Sequence, residues 1–141
     1  MTPNFLSAVE EFFDLYMQAE HPGVSYFFDN SKATTEQGPY AVIHVLPSED
    51  VLPINLGITA KSRNVGLVQV DVYGPSDQGA GPVNTLAYQI GRAFKRLQLT
   101  VSADNGHCVF KDPAVQARGE MRGLHKEQMR VPYRYDFQDY V

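Results

Sequence analysis

Nine residues at the centre of the chain, Val65 to Tyr73 (VGLVQVDVY), admit little besides a β-strand. Val68, Val70 and Val72 fall on one face, and Leu67, Gln69, Asp71 and Tyr73 on the other, the two-residue period of a pleated strand. The residues after this strand narrow the fold further. Gly74 to Pro82 (GPSDQGAGP) is a turn-rich connection. Beyond it, Val83, Leu86, Ala87, Ile90, Phe94 and Leu97 form the buried stripe of an amphipathic helix, from about Val83 to Leu97. Arg92, Lys95 and Arg96 crowd its last turns, where cations complement the helix dipole.

The rest of the chain supplies elements for this strand and helix to pack against. Thr2 is a candidate N-cap, and Pro3 suits the first helical position because its missing N–H has no partner there. Phe5, Val9, Phe12, Phe13, Tyr16 and Met17 then recur at helical spacing, predicting a helix of four turns that ends before His21-Pro22-Gly23. Val24 to Phe28 is a short strand candidate, Asp29 to Gly38 a polar loop, and Tyr40 to Leu46 a strand with Ala41, Ile43 and Val45 on one face. Pro47 to Asn64 has little pattern; Val51, Leu52, Ile54, Leu56 and Ile58 predict a strand that Pro53 makes an edge or a broken one. Thr100 to Ser102 and His107 to Phe110 flank an Asp104-Asn105-Gly106 hairpin turn, and Val115 to Leu124 is ambiguous. Last comes a long alternating strand with Met129, Val131, Tyr133, Tyr135 and Phe137 on one face; Pro132 predicts an edge position for it.

Runs of strands between two helices predict an α+β domain, with both helices packed on one face of a mainly antiparallel, twisted β-sheet joined by long loops. The 141 residues read as one such domain, without repeats or a dividing linker. No stretch approaches the about 20 apolar residues of a membrane span. A basic segment followed by an apolar run is also missing, so no signal peptide is expected.

A net charge of −4 argues against a general polyanion binder. The charge is unevenly spread. Residues 1–60 hold eight acids and one base, Lys32, and residues 61–141 hold eight acids and eleven bases. Segments of net −7 and +3 can give one domain opposite-signed faces, which bears on association rather than on fold.

Chemistry is harder to find. The four histidines are scattered, and His107-Cys108 point to opposite faces of a strand, so neither a metal site nor a cofactor site is expected. Cys108 stands alone, which excludes an internal disulfide, and nothing local activates it as a nucleophile. The loop before the second helix lacks both Lys-Ser/Thr and GxGxxG, leaving a plain strand-to-helix connection as the better reading. Asp71 is either a buried acid that titrates high and acts as a general base, or an outer-face residue beside Gln69 that touches another subunit. No neighbouring His or acid supports the first. The cations Lys61, Arg63, Arg92, Lys95 and Arg96 suit a charge-matched protein interface better than nucleic acid.

The stretch Gly66 to Phe94 resembles the core of small tail terminator (tail completion) proteins of long-tailed bacteriophages. The resemblance rests on Leu67, Gln69, Val70, Asp71, Val72 and Tyr73 in the strand, Gly79 and Gly81 in the loop, and Ile90, Ala93 and Phe94 in the helix. It implies a virion structural protein without enzymatic activity. Such proteins form hexameric rings on the head-proximal end of the tail tube, halt its polymerisation and join it to the head connector, with DNA passing through the channel. Lys61, Arg63, Gln69, Asp71, Asp77, Arg92, Lys95 and Arg96 are then candidates for contacts with neighbouring subunits and the tube. Two alternatives stand beside it. One is a small-molecule enzyme of the cone-shaped, ketosteroid isomerase-like group, with Asp71, His44 or Tyr133 in its pocket. The other is a related head–tail connector or tube subunit.

Overall fold

Thr2 starts the first helix, α1 (Pro3–Glu20), with its hydroxyl accepting the N–H of Phe5 at 3.1 Å. The structure, a computed structural model, describes residues 2–28, 39–55, 61–75, 77, 79–121 and 123–138. Phe5, Val9, Phe13 and Met17 are fully buried along α1, each stabilising the fold by about 1.5–3 kcal/mol relative to exposure. Phe5 stacks on Tyr135 with ring centres 4.4 Å apart, while Phe12 meets Phe94 of the second helix edge-on at 5.1 Å. Both helices therefore share one layer over one face of the sheet, as the strand–helix order predicts.

After α1 come β1 (Ser25–Phe28), β2 (Tyr40–Asn55), β3 (Lys61–Pro75), α2 (Gly81–Phe94), β4 (Gln98–Val101), β5 (Gly106–Phe110), β6 (Ala114–Met121) and β7 (Leu124–Gln138). Among the described residues these strands form one sheet in the order β1-β2-β3-β7-β5-β4, with β6 also paired to β7. The sheet is mixed. The pair β1–β2 is parallel, and every other pair is antiparallel. Residues 29–39 separate β1 from β2, and parallel neighbours need such a long connection in place of a hairpin. The expected 29–38 loop lies outside the described residues, as do Leu56 and Ile58. β2 is longer than its first seven residues predict. It shifts register between Pro47 and Val51, and again between Pro53 and Asn55, yet stays paired with β3 throughout. Beyond Ile43, where β1 stops pairing, β2 is the edge strand that Pro53 predicts.

Two expectations need correction. β7 is central, not an edge: β3 pairs along its whole length, and β5 and β6 share its other side. Pro132 is tolerated because its carbonyl accepts the N–H of Lys111 at 2.9 Å. Its missing N–H faces the same side, in the gap between Phe110, where β5 ends, and Ala114, where β6 begins. α2 also stops earlier than its apolar stripe. Arg96 adopts φ +55°, a left-handed conformation, so Lys95 and Arg96 follow the helix and only Arg92 lies in its last turn.

The inner face of the sheet carries Val68, Val70 and Val72 from β3 and Met129, Val131, Tyr133, Tyr135 and Phe137 from β7. Cys108 points inward too, and burial pushes its thiol up to about 12, the behaviour of an inert core residue. Glu127 shares this inner face, 2% exposed, with Oε1 accepting from Asn84 of α2 at 3.4 Å. Its Oε2 has no hydrogen-bond partner among the described residues.

Asp104, in the turn between β4 and β5, ties the N-terminus of α1 to the sheet. It accepts from the hydroxyl of Thr2, from Asn4 Nδ2 at 2.9 Å and from Tyr135 Oη at 2.6 Å. Burial pushes its carboxyl up, but the bonds from Asn4, Thr2 and Tyr135 together hold it below its ordinary 3.8. The ionised form is thus the one the fold favours. Its contribution is present above the ordinary carboxylate range and lost as pH falls through the lowered folded value. Asp104→Asn should therefore cost about 2 kcal/mol at neutral pH. Urea midpoints of variant and parent should converge on acidification; a gap independent of pH would disprove the role of the charge.

Candidate functional site

Among the described residues no layer covers the other face of the sheet, and that face is unusually structured. Alternation and register place Tyr40, Val42, His44 and Leu46 of β2 beside Tyr73, Asp71, Gln69 and Leu67 of β3. Lys126, Gln128, Arg130 and Pro132 of β7 complete the four rows.

Asp71 sits in the middle and is only 4% exposed, hidden by long side chains of its own face. Its Oδ1 accepts from Gln69 Nε2 and Gln128 Nε2, each at 3.1 Å. Oδ2 lies 3.1 Å from His44 Nε2 and 3.9 Å from Lys126 Nζ. An ionised carboxylate only accepts, so Nε2 is the proton-bearing nitrogen of His44. The network continues outward. Gln128 Oε1 accepts from Arg118 of β6 at 2.8 and 3.1 Å, and Lys126 lies over the Tyr73 ring, which stacks on Tyr40. One carboxylate therefore cross-links β2, β3 and β7, and through Gln128 it reaches β6. With its lone pairs engaged by these donors, Asp71 holds the strands in register.

Toward the far end of the face the chemistry changes. Leu46 and Val65 are 41% and 42% exposed, next to half-buried Leu67 and exposed Pro132. Past this apolar strip, Arg63 donates to Asp136 through Nε at 2.8 Å and Nη2 at 3.0 Å, with Arg134 Nε 3.9 Å from the same carboxylate. The two-pronged bond to Asp136 strengthens the guanidinium's hold on its proton, raising the Arg63 pKa. Beyond it, Val51, Leu52 and Ile54 of distal β2 are also exposed.

A family model described as phage tail terminator protein matches residues 5–133, from α1 into β7. The chain belongs to the phage tail terminator family. Its fold is shared by a solved structure known only by a sequence designation, with a TM-score of 0.69 at 19% identity. That match covers 98% of this chain and 96% of the other. No curated protein sequence matches it. The family is one of phage tail structural proteins.

The terminator fold distributes the residues singled out in the sequence over three places. Gln69 and Asp71 meet in the polar network. Lys61 and Arg63 lie alongside distal β2, opposite Asn55 and Leu52, where Arg63 is already bridged to Asp136, so reversing its charge would break an internal bond as well as any contact. Asp77 is exposed in the connection before α2. Arg92, Lys95 and Arg96 are exposed at the C-terminal end of α2, on the helix layer; Arg96 pairs with Asp112 at 3.1 Å. Of the residues a pocket enzyme would use, Asp71 and His44 are brought together, but Tyr133 points into the core on the opposite face. Sequence reasoning missed Gln128 and Lys126 as partners of Asp71, Arg118 as the partner of Gln128, and Asp136 as the partner of Arg63. The alternation of β7 gives their face; the register against β3, which makes them neighbours, has no local signature. Among the described residues no cluster of His, Cys, Asp or Glu could hold a metal ion, and no helix is long and apolar enough to cross a membrane.

Proposed function

We propose that this terminator assembles into a closed ring, hexameric by family resemblance, that caps the head-proximal end of the tail tube. The ring stops tube growth and offers its other rim to the head connector. It works as part of the virion, assembled in the host cytoplasm, without catalysis, and DNA only passes through its channel. The observation that carries this reading is a sheet face with exposed apolar side chains, uncovered among the described residues, in a chain of this family. Leu46, Val65, Leu67 and Pro132 form an apolar strip that a lone subunit leaves in water. The opposite layer differs in kind. Its α1 bears Glu10, Glu11, Asp14 and Glu20 without a base, and its exposed bases Arg92, Lys95 and Arg96 gather at the C-terminal end of α2, whereas Arg130 and Arg134 are exposed on the sheet face. Two unlike faces suit a heterologous interface, the kind that closes into rings.

Light scattering across a salt series tests this. The expected result is a salt-sensitive equilibrium between the 15.8 kDa chain and a species about six times heavier, with rings in negative stain. A monomer or dimer at every salt, together with tubes that keep lengthening when the protein is added, would overturn the proposal.

A further inference from the structure

Two surfaces on opposite sides of the domain match each other. On the sheet face, Pro132 of β7 lies opposite Leu67 of β3, which lies opposite Leu46 of β2. Arg130 and Arg134 flank Pro132 along β7, each about 7 Å from that apolar row, and both are exposed. The residues that register with the two arginines are Gln69 and Val65 of β3, Ala114 of β6 and Val109 of β5, all uncharged. Among the described side chains the acids of this face are Asp71, which is buried, and Asp136, which Arg63 bridges. Arg134 Nε lies 3.9 Å from Asp136, whereas Arg130 has no ion pair among the described residues. This face thus presents an apolar row bordered by an unpaired cation.

The exposed stripe of α1 has the complementary character. Leu15 is 58% exposed, and Glu11 is exposed one turn before it, about 6 Å along the helix. Phe12 and Tyr16 turn toward α2, meeting Phe94 and the carbonyl of Gln89, so the bases that end α2 lie on that flank. Arg92 lines a recess there with Glu20, and Lys95 shares a groove with Asp112, the partner of Arg96. On the other flank Asp14 accepts from Tyr26 of β1, a strand without charge. Neither α1 nor β1 contains a base to neutralise Glu11. A subunit cannot join these two surfaces itself, because its own sheet lies between them. We propose that α1 of one copy lies across the sheet face of the next, with Leu15 on Leu67 and Pro132 and Glu11 beside Arg130. The step from Glu11 to Leu15 matches the step from Arg130 to the apolar row, so one placement of the helix satisfies both. The two surfaces differ, so the contact runs head to tail and can close a ring. The proposal deepens the ring reading above and rests on it.

A charge swap tests it. Glu11→Arg and Arg130→Glu each set like charges together, and each should weaken assembly at least about tenfold. Combined in one chain, or mixed as two chains, the substitutions restore an opposite pair at every contact, and the heavier species should return. Both residues are exposed, so urea midpoints near the parent's should show that the fold is kept. Single variants that assemble like the parent, or a double variant that fails to recover, overturn the contact. Disulfide trapping on mixing a Leu15→Cys chain with a Pro132→Cys chain reads the same contact without requiring a ring. Both sites are exposed, and the native Cys108 is buried and does not compete. The mixed disulfide should exceed either homodimer by at least about tenfold; equal amounts overturn the proposal. Light scattering of the parent keeps the two ideas apart. Rings with unselective trapping reject this contact alone, whereas selective trapping in a chain that never forms rings supports the contact and rejects closure.

Discussion

Replacing Gly66 with alanine is expected to lower stability by about 3 kcal/mol, or about 10 °C in Tm. Gly66 lies where β2 shifts register, and β2 crosses it closely. A Cβ there would stand 2.5 Å from the carbonyl oxygen of Leu46 and 2.9 Å from Cα of Pro47, both backbone atoms that cannot rotate away. It would also meet the Tyr133 hydroxyl at 2.7 Å, the group that donates to Asn64 Oδ1 at 3.2 Å. The methyl must therefore displace the root of the distal β2 arm, or drive the Tyr133 ring off its buried partner. Tyr133→Phe separates these effects. Alone it removes one buried hydrogen bond, at a cost of about 1 kcal/mol. In a Gly66→Ala background it also relieves one of the three clashes, so the double variant should lose less than the sum of the singles. Urea denaturation of the four proteins gives the coupling directly. A Gly66→Ala chain within about 0.5 kcal/mol of the parent would show that β2 does not approach so closely.

Local pattern made α1, the faces of β3 and β7 and the β4–β5 hairpin legible, because each rests on a period or turn read within a few residues. Thr2-Pro3 gives the start of α1, and Asn105 adopts the left-handed φ that an Asn-Gly turn needs. Properties set by distant neighbours were not legible. Pro132 predicts an edge only while the β5–β6 gap beside it is unknown. The end of α2 depends on the left-handed Arg96 and the Lys111 carbonyl it reaches at 3.4 Å, not on its own apolar stripe. The site divides in the same way. Gln69 beside Asp71 is plain from alternation, but Gln128, which completes the cluster, lies 57 positions further along the chain. Glu127 was hidden for a related reason: its phase places it inward, against the general expectation that acids face water.

Asp71→Ala should cost about 3 kcal/mol, because it removes the acceptor and leaves its donors behind. Gln69 and Gln128 would lose their bonds to Oδ1, while His44 and Lys126 would lose the negative charge they flank. The carboxylate side chain is only 6% exposed, so water cannot substitute without opening the cluster. Asp71→Asn isolates the charge. It keeps the shape and one acceptor oxygen, but turns an amide toward donors, and should cost about half as much. Amide hydrogen exchange should rise at the β2–β3–β7 rows around Asp71 in both variants, and remain unchanged at distal β2, which the network does not touch. If Asp71→Ala is instead as stable as the parent, the carboxylate does not bind the strands together. A buried charge kept on an uncovered face at no gain to the subunit would then have its use in what covers that face.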